Sequence, residues 1–332
     1  MRRREFIAGL GATAWPVVAR AQQPERMRRI TIWMLGDRLL GQDAPEGRRL
    51  VMEFRRRLEA LGWVDGRNIR VDYRWVVAEI DRINEVAKET VEQKPEVILA
   101  DGTVMVAALS RESGAVPIVF VNVSDPIGSG FIASLTRPGG MITGFTSNEP
   151  TLGGRWPELL KEIAPTIRRI GFLFDPDAAP YAERFLHEAD ASARILSIEL
   201  VAVRIHGRTE IERTMAALAS DSGSGLIVLP DPTTNSASDL IIESAARHRI
   251  PAIYAWEFEA VAGGLMSYGM DLAESFRGAA VYIDRILRGN TPADLPVQAP
   301  TKFKFVLNMR TAKALGIEPP TATLVRADEL IE

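Results

Sequence analysis

Strand-like and helix-like patterns alternate along this chain, and the alternation runs twice. Residues 30–35 form a short apolar stretch. Leu50, Val51, Phe54, Leu58 and Leu61 then recur at helical spacing over residues 45–61, with arginines on the other face and Gly62 as a stop. Ile69, Val71, Tyr73 and Trp75 alternate with Arg70, Asp72 and Arg74, the period of a strand with one wetter face. Ile80, Ile83, Val86, Ala87 and Val91 mark a second helix. Residues 97–100 and 118–121 are continuous apolar runs near Pro or Gly, as in parallel strands buried on both faces. A short helix is expected near 131–135, before Arg137-Pro138-Gly139-Gly140 and a strand at 142–146.

The second run predicts helices at 152–163, 179–195, 209–219 and 237–248. Strands at 170–174, 200–205, 226–229 and 252–255 fall between and after them. Two β-α-β-α series imply two mainly parallel, doubly wound sheets. The last third differs. Gly263 to Gly269 reads as a short strand between glycine bends. A long helix follows over 271–288, then a proline-rich connection over 292–300, a strand at 303–307 and the start of a last helix at 311–315. These pieces are too few for a third domain. They are expected to add to the first two, so that the chain crosses between the lobes more than once.

The N-terminus has the three parts of a secretory signal. Arg2-Arg3-Arg4-Glu5 precedes an apolar run over 6–18, which ends in Ala19-Arg20-Ala21. Arg3-Arg4-Glu5-Phe6-Ile7 also fits a twin-arginine signal. The run is too short to span a bilayer, and Pro16 interrupts it. A buried amphipathic helix is the alternative. With residues 1–21 removed after Ala21, 36 basic residues face 42 acidic ones, net −6. That balance argues against a general nucleic-acid binder. The chain has no cysteine, hence no disulfide, thiol nucleophile or lipid anchor on a cysteine. The expected product is a monomer in the periplasm with no membrane anchor.

Recurring catalytic and nucleotide-binding motifs are absent from local sequence: no Walker loop, no G-x-G-x-x-G after a strand, no H-E-x-x-H and no G-x-S-x-G. His187, His206 and His248 lie far apart. No catalytic residue, metal site or cofactor is predicted. Polar groups instead gather at predicted strand ends: Asp37, Asp101-Gly102-Thr103, Ser124-Asp125, Asp175 and Asp231. Free N–H groups at a helix start suit a carboxylate, and Gly102 and Thr103 are placed to offer them. An acidic side chain on a facing strand end suits an ammonium group. Together they would hold the polar end of a free amino acid, although Asp, Ser and Thr at such positions also serve as helix caps. Tyr181, Tyr254, Trp256, Phe258 and Tyr268 could flank a flat apolar ligand or fill the core.

Several stretches resemble one family in order along the chain. They are Val123-Ser124-Asp125-Pro126-Ile127-Gly128-Ser129-Gly130, Leu135-Thr136-Arg137-Pro138-Gly139-Gly140, Leu229-Pro230-Asp231-Pro232, and Gly263-Gly264-Leu265-Met266-Ser267-Tyr268-Gly269. Pro300-Thr301-Lys302-Phe303 and Thr311-Ala312-Lys313-Ala314-Leu315-Gly316 complete the set. The chain resembles ABC-transporter substrate-binding proteins, the relatives that take up tryptophan and other aromatic amino acids. The resemblance implies a type I-like periplasmic-binding-protein fold: two α/β lobes, 28–146 plus 269–297 and 147–268 plus 298–332, joined by a hinge that the chain crosses several times. It implies no catalysis, and a permease and ATPase as partners. Ligand contacts would come from the loop after the first strand, Gly102-Thr103, Ser124-Asp125, Asp175, Asp231 and Tyr268, with Tyr181 and Trp256 from the aromatic set. Gly36-Asp37-Arg38-Leu39-Leu40 and Asp101 stand where relatives tend to carry small residues. An exported ligand sensor and an exported enzyme on a related fold are the competing readings.

Overall fold

The computed structural model describes residues 27–36, 41–76, 80–147, 150–221 and 223–332. The expected signal segment, its cleavage point and Asp37 lie outside the described residues. In the first sheet β1 (Arg28–Leu35), β2 (Ile69–Val76), β3 (Val97–Asp101), β4 (Ile118–Val123) and β5 (Ile142–Thr146) are all parallel, in the order β2-β1-β3-β4-β5. Helices α1 (Pro45–Ala60), α2 (Ile80–Glu92) and α3 (Thr103–Glu112) connect them. The five residues of β3 are all buried, as a strand covered on both faces requires. Pro45 opens α1, and Leu50, Phe54 and Leu58 bury its inner face.

The second half contributes α4 (Leu152–Ile163), β6 (Arg169–Phe174), α5 (Ala182–Ile195), β7 (Glu199–Arg204), α6 (Ile211–Ala219) and β8 (Ser224–Val228). It continues through α7 (Pro232–Ser236), α8 (Ser238–Arg247), β9 (Ala252–Tyr254), α9 (Glu257–Val261) and β10 (Met266–Met270). The order β7-β6-β8-β9-β10 repeats the winding of the first sheet. Each sheet therefore reverses its winding beside its first strand, where open α/β sheets hold ligands. α10 (Leu272–Leu287) then returns to pack on α1 and on the first sheet. Backbone bonds tie Val297 to Leu135, and Gln298 to Gly144 and Thr146. β11 (Phe303–Asn308) rejoins the second sheet antiparallel to β10, followed by α11 (Met309–Leu315), α12 (Thr321–Arg326) and β12 (Glu329–Ile331). The chain thus passes between the sheets three times: after β5, at Asp271 and before β11.

Two sequence expectations fail. Residues 131–135 form no helix. Phe131 and Ile132 donate to the Pro126 carbonyl, Ala133 donates to that of Pro138, and the Leu135 carbonyl accepts from Val297. The backbone there is satisfied by turn carbonyls on either side and by Val297, and Ile132 serves as a buried plug. The helix at 311–315 is also not the last, since α12 and an edge strand follow it. Three buried clusters support the fold: one on the outer side of each sheet, and one running through both halves by way of α4, α5 and α10. In that shared cluster Trp156 stacks on Phe185 at 5.7 Å, and its Nε1 donates to the Tyr268 carbonyl at 2.8 Å. Each fully buried side chain of this size contributes about 1.5–3 kcal/mol.

Candidate functional site

The two sheets point their C-terminal strand ends at a shared cavity of about 100 Å³. One wall comes from the first sheet. β3 ends in Asp101, and Gly102 starts α3 with φ 95°, a left-handed value that favours glycine. Among the described residues no side chain caps α3, and its first turn, Thr103 to Met105, lines the cavity. Asn122 and Ser124 join from β4 and the turn after it, and Ser147 from the end of β5.

The opposite wall comes from the second sheet: Tyr181, Pro230, Asp231, Asn235, Trp256 and Phe258. Its polar groups bond one another. Asp231 caps α7: Oδ1 accepts from the N–H groups of Thr233 and Thr234, each at 2.8 Å, and Oδ2 from that of Asp175 at 3.0 Å. Burial nonetheless pushes the Asp231 carboxyl up to about 6, against the pull of those three donors. Tyr181 donates to the Pro230 carbonyl at 2.6 Å, and burial holds its phenol well above the usual range. Trp256 donates from Nε1 to Asn235 Oδ1 at 3.2 Å, which fixes the indole. A smaller apolar chamber continues inward past Ser124, Tyr181 and Trp256, closed by Leu152, Trp156, Phe185 and Met270.

Ion pairs bridge the halves beside the cavity. Arg49 of α1 reaches Glu257 at 3.3 Å, and Arg184 of α5 reaches Asp125 at 3.9 Å.

The structure brings together Gly102, Thr103, Ser124, Tyr181, Asp231 and Trp256 from the expected set. Asp125 lies outside the lining and accepts from the Gly128 N–H at 2.9 Å, as a turn cap does. Asp175 sits behind Asp231, accepting from Asp177 N–H at 3.0 Å and Thr233 Oγ1 at 2.7 Å. Tyr268 packs against Phe303 and Phe305, away from the cavity. Asp101 of the strand-end polar set lines the cavity too, and Asn122, Asn235 and Ser147 join the lining beyond that set. Asp101 and Asn122 stand at the ends of two apolar strands, and that position was a usable signal. Asn235 and Ser147 carry none.

Asp175, Asp177 and His206 place ligand-type atoms within 4.8 Å of one another. Both Asp175 oxygens already accept hydrogen bonds. Asp177 and His206 are exposed and bond each other at 2.9 Å, which raises the imidazole's basicity. Among the described residues, no helix is long and apolar enough to cross a membrane.

Two α/β halves closing on a cavity that presents an uncapped helix start define a solute-binding architecture, and the comparisons agree. Residues 48–331 match the family of ABC transporter substrate binding proteins, and the chain belongs to that family. The family is extracytoplasmic and works with permease and ATPase subunits; its members are solute-binding proteins, not enzymes. The chain is 26% identical over 281 residues to a tyrosine-binding protein of Clostridioides difficile (strain R20291), covering 82% of this chain and 78% of that one. It is similar to a Streptococcus ABC domain solved in complex with L-Trp: TM-score 0.81, 21% identity, 92% of this chain and 100% of that chain. A ligand-free, open substrate binding protein from Clostridium difficile matches with TM-score 0.68 and 22% identity, over 92% of this chain and 99% of that one.

Proposed function

We propose that this protein is exported, binds an aromatic or branched apolar amino acid between its two lobes and delivers it to an ABC importer. The observation that carries the reading is the pairing of walls across one cavity. An uncapped α3 start faces Trp256, Phe258 and Tyr181. Unpaired N–H groups and the helix dipole favour the ligand carboxylate at Thr103–Met105. The aromatic wall favours a flat apolar side chain. The tyrosine- and tryptophan-binding relatives support the same ligand class.

The lobes in this proposal are 28–146 plus 269–297 and 147–268 plus 298–332. The three crossings act as the hinge, and Arg49–Glu257 and Arg184–Asp125 form as the lobes close. The basic start and Ala19-Arg20-Ala21 support cleavage after Ala21 and a periplasmic monomer. Mass spectrometry of the ligand that co-purifies with the natively exported protein, followed by calorimetry with L-tryptophan and L-tyrosine, tests the reading. An aromatic amino acid is the expected occupant. A ligand with no carboxylate would overturn it.

A further inference from the structure

Asn122 occupies an unusual position on the first wall. It sits at a bulge, where the pairing of β4 with β5 skips from Val121 to Val123. Its φ is 58°, in the left-handed region that asparagine tolerates better than most residues. Its Nδ2 donates to Asp101 Oδ1 at 2.7 Å. A carboxylate only accepts, so this contact fixes the orientation of the amide. The Asn122 Oδ1 is then left buried with no partner. Buried acceptors in folded proteins almost always have one, and an orphan beside a cavity points to a missing donor.

We infer that Asn122 Oδ1 and the Asp101 carboxylate together receive the ammonium group of the ligand. This rests on the amino-acid reading above and adds the identity of the acceptors. An ammonium carries three donors and no acceptor, which matches an amide oxygen beside a carboxylate. In an α-amino acid the two charged groups share one carbon, so their sites must adjoin. Asp101 directly precedes Gly102 and the α3 start, where the carboxylate goes. Asp231 faces them from the far wall with three N–H donors already on its oxygens. Asp125 lies outside the lining. A buried acceptor also rejects ligands that lack the donor, because binding them leaves it unpaired.

Asn122→Gly tests this. Glycine takes φ 58° freely, so the variant keeps the backbone and loses the acceptor. Calorimetry with L-tryptophan and L-tyrosine is compared with the desamino analogues indolepropionate and hydroxyphenylpropionate, beside a melting curve. We expect a modestly lower melting temperature, because the buried Asp101 carboxylate loses the Nδ2 donor, and about a ten- to hundredfold loss for the amino acids. The analogues should bind both proteins equally. Asp101→Asn, close in size, should show the same selective loss and covers the case in which Asn122→Gly does not fold. Equal losses for amino acids and analogues, or no loss, would overturn the inference alone. A wild-type protein that binds neither amino acid would overturn the amino-acid reading itself.

Discussion

At one wall of the cleft α3 begins at Gly102, and among the described residues no side chain accepts from its first N–H groups. At the other, α7 begins at Asp231, whose carboxylate accepts three. The contrast extends along both walls. On the first, Asn122 keeps an unpaired acceptor. On the second, Tyr181 is bonded to Pro230, Trp256 to Asn235 and Asp175 to Thr233. Both walls are strand ends of sheets with the same winding order, so topology did not create the difference. The choice of Gly102 or Asp231 before the helix did. A wall that satisfies its own polar groups offers shape and aromatic surface. A wall that leaves them open offers charge recognition.

The strongest way to break this comparison is to close the open wall. In Thr103→Glu a carboxylate enters the first turn of α3. It should favour the helix dipole, leaving the fold as stable or up to about 1 kcal/mol more stable. It should also occupy the place of the ligand carboxylate and repel it, with a loss of about 3 kcal/mol or more in binding, at least a hundredfold. Calorimetry beside a melting curve reads both effects. Full affinity in a stable Thr103→Glu protein would show that the carboxylate binds elsewhere.

The closed wall makes a prediction in pH. Asp231 has a folded value of about 6, above its ordinary 3.8. Between those values the folded state holds more proton than the unfolded one, so stability falls as pH rises. The stabilisation from protonation is complete below about pH 4 and lost as pH passes about 6. The span corresponds to roughly 3 kcal/mol at most. Other carboxylates titrate in the same window, so the quantity to measure is the stability of wild type minus that of Asp231→Asn. It should fall by about 2–3 kcal/mol between about pH 4 and pH 7 in denaturant titrations. A flat difference would mean that Asp231 is as well solvated as a surface cap.

The two walls were not equally readable from sequence. Every strand from β1 to β9 left a signal, because burial on both faces or on one imposes a continuous or alternating pattern over five or more residues in most cases. Gly102-Thr103 was readable for the same reason: a glycine between a buried strand and a helical stripe has few other uses. α7 and α9 have five residues each, too short for a helical period, so Asn235 could not be placed on the second wall and Phe258 could not be told from core. Asp125 and Asp231 look alike in sequence, each following an apolar strand and preceding proline. Only the fold separates them, by closing the Asp125 turn on Gly128 outside the cavity and setting Asp231 at its wall.

The smallest expected effect sharpens the comparison at its edge, where the two halves touch. Glu257 follows Trp256 and accepts Lys304 at 2.8 Å within its own half and Arg49 at 3.3 Å across the cleft. Both cations have a second carboxylate: Arg49 holds Glu46 at 2.7 Å and Lys304 holds Glu329 at 2.6 Å. Glu257→Gln therefore strands no charge, and all these groups are partly open to solvent. The cross-cleft pair should contribute no more than about 1 kcal/mol to the closed state. Affinity should fall by about two- to fivefold, with the ligand preference unchanged, because only the closing equilibrium shifts. The gap between variant and wild type should shrink as salt rises, since exposed pairs are screened. A tenfold or greater loss that persists in high salt would instead place Glu257 among the groups that bind the ligand, and the second wall would then carry charge recognition too.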